Sequence, residues 1–235
     1  AESIIEFARE LGRDKPSVIF HFGYRCAHHT NELYMRRSIG ILNALMGSVE
    51  TPGGYFFKKG PDEVGGKKAR KLTDQKLAEI DTVRFDKVGT SDFPLPELKF
   101  GVAQMFPHAV LNEDPYPIKG LIVHRFDPIL SMPDSNLTKK AFEKLDFIVT
   151  IEINYSDTAW YSDVILPESV YLERTDPIRQ VNGLKPQMLL RKQVVTPCYD
   201  TREGAIILQQ IAKRLGVGEY FPYETIEDLV LWELE

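Results

Sequence analysis

Three short aliphatic runs set the strongest limit on the fold: Gly120-Leu121-Ile122-Val123-His124, Phe147-Ile148-Val149-Thr150-Ile151 and Val164-Ile165-Leu166. Each is long enough for one buried strand and too short for a helix. Residues 136–145, between the first two, read as a helix, and residues 158–161 as a short helical turn before the third. Pro167 ends the third run, because proline has no N–H to give a central ladder. Strand, helix and strand joined by short links fold through right-handed crossovers into a parallel sheet. The expected class is α/β: a parallel, Rossmann-like sheet with helices on both faces.

The flanking chain extends this picture. Ile4 and Ala8, and Phe7 and Leu11, recur at helical spacing across residues 2–12, and Gly12 follows as a stop. Ser17-Val18-Ile19-Phe20-His21-Phe22 reads as a further strand of the same sheet. Asn31 is placed to cap a helix running to Met46, with Tyr34, Ser38, Ile41 and Leu45 on one stripe and Gly47 at its end. Residues 48–115 carry many glycines and prolines and little periodicity. Apart from a helical segment near residues 74–80, they read as a long irregular insertion, and insertions of that length are usually functional or interfacial. Met188-Leu189-Leu190 reads as a strand, and residues 202–215 as a helix on Ala205, Leu208, Ile211, Ala212 and Leu215. Residues 225–234 close the chain as a helix, with Thr225 and Asp228 in capping-box spacing. Residues 1–235 are read as one domain.

Composition narrows the function. A net charge of −5 gives no electrostatic case for nucleic acid or an anionic membrane. The basic run Lys67-Lys68-Ala69-Arg70-Lys71 reads as a solvated loop. No stretch approaches the ~20 apolar residues that cross a bilayer, so no direct membrane insertion is expected. The first residues form an amphipathic stripe rather than a signal peptide. Cys26 and Cys198 stand far apart in no CxxC spacing, and an iron–sulfur cluster needs about four thiolates. His21, Cys26, His28 and His29 lie close in sequence, but no second cluster and no HExxH completes a zinc site, so no metal site is expected.

Ligands of open parallel sheets bind beyond the carboxyl ends of the strands. That rule selects four loops: residues 23–29, 124–134, 152–157 and 167–168. The first carries Gly23 and Arg25, the second Arg125 and Asp127, the third Glu152, Asn154 and Asp157. Guanidinium and backbone donors suit phosphates, and carboxylates suit a guanine N1–H and amino group or ribose hydroxyls. The phosphate motifs of other nucleotide sites, GxGxxG and GxxxxGK[ST], are absent, and no nucleophile elbow supports a hydrolase.

Three motifs then share one likeness. The first is Thr158-Ala159-Trp160-Tyr161-Ser162-Asp163, followed by the third strand, Pro167-Glu168 and Tyr171-Leu172-Glu173-Arg174. The second is Phe22-Gly23-Tyr24-Arg25-Cys26-Ala27-His28-His29 with Asn43-Ala44-Leu45-Met46-Gly47 and Pro52-Gly53-Gly54 behind it. The third is Pro115-Tyr116-Pro117-Ile118-Lys119-Gly120 leading into Phe126-Asp127-Pro128. In order and spacing, nearly the whole chain resembles the middle of thiosulfate and polysulfide reductase catalytic subunits, in the dimethyl sulfoxide reductase superfamily. Arsenate and tetrathionate reductases share much of the pattern.

The resemblance implies the central cofactor-binding part of a molybdenum oxidoreductase of anaerobic respiration, holding molybdopterin guanine dinucleotide in its bis form. The implied reaction is reduction of thiosulfate, polysulfide or a related sulfur oxyanion. Asp127, Glu152, Thr158 and Asp163 match family cofactor contacts, and the loop reading adds Gly23, Arg125 and Asp157. Arg25 is expected to orient the anionic substrate, and His28 and His29 to deliver protons. Relatives often carry Gly-x-Asn before the loop proline, where this chain has Arg125-Phe126-Asp127. The iron–sulfur cluster and the molybdenum ligand are expected in the remainder of the catalytic subunit. An iron–sulfur electron-transfer subunit, a membrane anchor subunit and a periplasmic location follow from resemblance alone. A different class of function is a stand-alone, non-catalytic nucleotide-binding or assembly module.

Overall fold

The computed structural model describes residues 1–23, 32–72, 83–91, 93 and 101–235. Where the sequence reads as one domain, the chain divides into two compact units, Ala1–Lys68 with Gln180–Met188, and Ala69–Arg179 with Leu189–Glu235.

The first unit holds helices α1 (Glu2–Arg13) and α2 (Glu32–Met46), both expected from periodicity. Helix α1 buries none of its residues, leaving Ile4 74% and Phe7 58% exposed. Residues 17–22 are not a strand. The reason is Asn43 on α2, which is buried and occupies the backbone of Phe20. Its Oδ1 accepts the Phe20 N–H at 2.9 Å, and its Nδ2 donates to the Phe20 and Ile39 carbonyls at 2.9 and 3.0 Å. The Tyr55 hydroxyl donates to the same Phe20 carbonyl at 3.1 Å. A residue whose N–H and C=O are both taken by a side-chain amide has nothing left for a ladder.

The second unit contains the parallel sheet. Strands β1 (Gly120–His124), β2 (Phe147–Glu152) and β3 (Val164–Pro167) pair in that order, parallel throughout. Leu121 stands beside Ile148, and Ile122 beside Val149, which in turn pairs with Val164. Because side chains alternate along a strand, these rows face opposite sides. On the Leu121 side, α3 (Phe106–Asn112), α4 (Pro128–Ser131) and α5 (Ser135–Lys144) build a core of Ile129, Phe142 and Ile148, with Phe106, Leu121 and Leu145 against it. Asp134 starts α5 by accepting the Leu137 N–H at 3.0 Å. On the other side, Leu166 shares a cavity with Ile207 and Ile211 of α6 (Gly204–Arg214). Helices therefore lie on both faces, as expected. Helix α7 (Ile226–Leu234) is capped by Thr225 and Asp228 in a complete capping box and contributes Ile226, Leu229 and Val230 to a second core around Tyr223. Strand β1 ends the sheet on its side, and Ile122 remains 48% exposed.

Two further elements depart from the sequence reading. Helix α3 lies inside the stretch read as irregular, with Pro107 in its first turn, where a missing N–H costs nothing. Strands β4 (Arg179–Val181) and β5 (Gln187–Leu189) form a separate two-stranded sheet, β5 overlapping the strand expected at Met188. The helical segment expected near residues 74–80 lies outside the described residues. Upstream of α3, the buried Asp86 accepts from the amides of Val88 and Val102 at 3.2 and 2.7 Å. The Arg84 guanidinium beside it leads in holding its carboxyl far below the usual range.

Replacing Asn43 by alanine should lower stability by about 2–3 kcal/mol, because the Phe20 N–H would be stranded away from water. Urea denaturation of the two proteins measures it; equal midpoints would contradict the role given to Asn43.

Candidate functional site at the carboxyl ends of the strands

Where β1 and β3 end, their chains turn toward one another over a buried carboxylate. Glu168 immediately follows β3, and its side chain has no exposure to solvent. Arg125 immediately follows β1 and grips this carboxylate with two donors, Nε to Oε2 at 2.6 Å and Nη2 to Oε1 at 2.5 Å. His124 Nε2 lies 3.2 Å from Oε1, and the Gly204 N–H, at the start of α6, donates to the same oxygen at 2.9 Å. Arg174 Nη1 stands 3.9 Å away. A buried carboxylate without such partners would be strongly unfavourable. Burial pushes the Glu168 pKa upward, but the bonds from His124 and Arg125 win and hold it at about 2.

The local backbone is shaped to this contact. Arg125 sits at φ 51°, in the left-handed region, while its N–H continues the sheet by donating to the Ile151 carbonyl at 3.1 Å. Glu168 donates its own N–H to the Glu152 carbonyl at 2.9 Å. A Cβ on Gly204 would lie 2.3 Å from Glu168 Oε1 and 2.6 Å from His124 Nε2, so glycine is the residue that lets α6 begin here.

Asp127 works beside this cluster. Its Oδ1 accepts from the Leu130 and Thr158 amides at 3.3 and 3.2 Å and from the Thr158 hydroxyl at 2.6 Å. Its Oδ2 accepts the Asp157 N–H at 3.1 Å. Asp127 thus caps α4 and ties the β1 loop to the β2 loop. Thr158 is buried within that tie. Glu152 and Asp157 remain at the mouth, and Asp157 is exposed with no described side chain donating to its carboxylate. Nearby, the rings of Tyr155 and Trp160 lie 6.0 Å apart, tilted by 35°, at 75% and 77% exposure.

The structure gathers Arg125, Asp127, Glu152, Asp157 and Thr158 at one end of the sheet. Asp163 stands apart, at the amino end of β3, where its carboxylate accepts the Ile148 N–H at 2.8 Å and closes the sheet. The length of the strand separates it from the crevice. Gly23 belongs to the first unit, at φ 71°, with its N–H donated to His21 Nδ1 at 2.9 Å. Arg25, His28 and His29 lie outside the described residues. Sequence reasoning overlooked His124, Arg174 and Gly204 and named Glu168 only as a loop residue. The available signal was an acid directly after a parallel strand, where solvent exposure was the simpler reading. Among the described residues no group of three or more His, Cys, Asp or Glu could hold a metal ion, and no helix is long and apolar enough to cross a membrane.

Comparison with known proteins identifies the family. Residues 4–214 match the family profile described as molybdopterin oxidoreductase. The chain belongs to that family. It is 32% identical over its full length to the thiosulfate reductase molybdopterin-containing subunit PhsA of Salmonella typhimurium, spanning 32% of that protein. The arsenate respiratory reductase molybdopterin-containing subunit ArrA of Shewanella is 26% identical over 92% of the chain, and trimethylamine-N-oxide reductase of Haemophilus influenzae 25% over 94%. The chain covers 26% and 28% of those two proteins. It therefore spans about a third or less of the relatives it matches. Acetylene hydratase from Pelobacter acetylenicus superposes on 57% of the chain with a TM-score of 0.53 at 22% identity, a likeness of fold.

A carboxyl whose pKa is depressed in the folded state adds stability that is full above its unfolded pKa and lost as pH falls through the folded value. For Glu168 that window runs from 4.5 down to about 2. The stability advantage of the wild type over Glu168→Gln should stay level above the window and shrink within it. Urea titrations at several pH values measure the difference, and one that stays level down to pH 2 would contradict the assignment.

Proposed function

We propose that this chain is the central cofactor-binding part of a molybdenum enzyme carrying bis-molybdopterin guanine dinucleotide, acting on thiosulfate, polysulfide or a related sulfur oxyanion. End-to-end similarity to a thiosulfate reductase subunit carries the substrate class, and the crevice supplies the chemistry of the donor set. The residues fit a nucleotide: Arg125 for phosphate, Glu152 and Asp157 as acceptors for ring N–H or ribose hydroxyl groups, and exposed Tyr155 and Trp160 beside them. When bound, the metal and its dithiolene accept and deliver the two electrons that cleave a sulfur–sulfur or sulfur–oxygen bond. This chain's share is to bind and orient. By the family resemblance, Arg25 is assigned to the anionic substrate, and His28 and His29 to proton delivery.

The apolar residues exposed on α1 and α2, Ile4, Phe7, Leu33 and Leu45 among them, support a chain that packs against the remainder of a longer subunit. They favour that reading over a stand-alone binding or assembly module. An iron–sulfur cluster in the remainder, an iron–sulfur partner subunit, a membrane anchor and a periplasmic site complete the proposal.

In the full-length subunit, Arg25→Ala should leave molybdenum content near the wild-type level while lowering turnover or raising KM for thiosulfate, and Arg25→Lys should restore part of the loss. Metal analysis and reduced-dye kinetics decide it. A wild-type subunit purified without molybdenum and pterin sinks the proposal. Loss of pterin from Arg25→Ala, with turnover per molybdenum intact, makes Arg25 a cofactor anchor instead.

A further inference from the structure

An arginine at φ 51° occupies a backbone conformation that glycine would adopt without steric cost. Its side-chain bonds to Glu168 are available to offset that strain. Arg125 spends only one edge of its guanidinium on Glu168, through Nε and Nη2. Among the described residues Nη1 and the outer hydrogen of Nη2 have no hydrogen-bond partner, although the charges of Asp176 and Glu152 also act on the guanidinium, and the side chain keeps 42% exposure at the carboxyl end of the sheet. The partner is immobile, since Glu168 is fully buried and also receives His124 and the Gly204 N–H. A flexible cation is thereby converted into a fixed one. That Gly204 N–H, at the first residue of α6, is committed to Glu168, so it does not compete with Arg125 for an anion. The acids at the end of β2 and on the loop after it, Glu152 and Asp157, mark the opposite requirement and suit ring N–H or hydroxyl donors.

Resting on the cofactor reading above, we propose that Glu168 is a positioning residue whose buried carboxylate holds the inner edge of Arg125, so that the outer edge forms a two-donor site for a phosphate of the cofactor's dinucleotide. Arg125 touches the phosphate; Glu168 acts only through Arg125. Planar bidentate geometry is what a guanidinium offers a phosphate and an ammonium does not.

The test uses the full-length subunit carrying Arg125→Gly, Arg125→Lys, Glu168→Gln and the double variant Arg125→Gly/Glu168→Gln. After desalting, GMP released by acid hydrolysis is counted per polypeptide, and thermal unfolding is followed in parallel. Arg125→Gly and Glu168→Gln should each retain roughly ten-fold less GMP, the scale of one charge-assisted hydrogen bond. Arg125→Lys should fall between glycine and wild type. The double variant should retain no less than the weaker single variant, because both changes remove the same contact. Wild-type retention in Arg125→Gly overturns the proposal. So do losses that multiply in the double variant, which would make Glu168 a strut independent of Arg125. If Glu168→Gln fails to fold, Glu168→Asp takes its place: it keeps the charge but draws the carboxylate back from Arg125, so it should also lose GMP. Wild-type retention in a folded Glu168 variant overturns the proposal. A wild-type subunit without GMP refutes the cofactor reading itself, a separate outcome.

Discussion

A carboxylate removed from water is the constraint around which the second unit is organised. Glu168 can stay ionised there only because donors arrive from β1, from the start of α6 and from the segment that follows β3. None of these is near it in sequence except Arg174; Arg125 is separated from it by 43 residues and Gly204 by 36. The contact is satisfied only when the parallel sheet has closed and α6 has docked. The same closure aligns the strand ends that form the crevice. The packing that buries Glu168 thus also aligns the strand ends, and burying the carboxylate without these donors would carry the cost of desolvation.

The elements carried by local pattern were legible. The three aliphatic runs gave three parallel strands, and the Thr225 capping box started α7 where its spacing placed it. What depended on distant partners was not legible. Residues 17–22 have strand composition, yet one buried amide, Asn43, satisfies Phe20 from a helix more than twenty residues away. Asp163 carries the motif but stands at the amino end of its strand, where it accepts a sheet amide. Asp127 lies where expected, but its carboxylate already accepts four protein donors, which makes it a tie between loops before any ligand is considered. Pattern identifies which residues reach a strand end; only the pairing tells which of them face outward.

The division of labour among acids follows from burial. Glu168 and Asp86 are buried, heavily bonded and held deprotonated, each fixing irregular backbone. Asp157 is exposed on the loop after β2, and Glu152, the last residue of β2, lies half-buried at the mouth. Buried acids of this kind set geometry, whereas acids at the mouth stay open to solvent, and the sequence writes both with the same letters.

The outer edge of β1 has a consequence of its own. Its second row of N–H and C=O groups has no strand beside it among the described residues, and Ile122 presents an aliphatic surface next to that row. No charged residue or proline interrupts Gly120-Leu121-Ile122-Val123. Such an edge is a template for another chain's backbone, and the cheapest partner in a concentrated preparation is a second copy of the same strand. Covering that edge therefore bears on how this polypeptide associates with other chains.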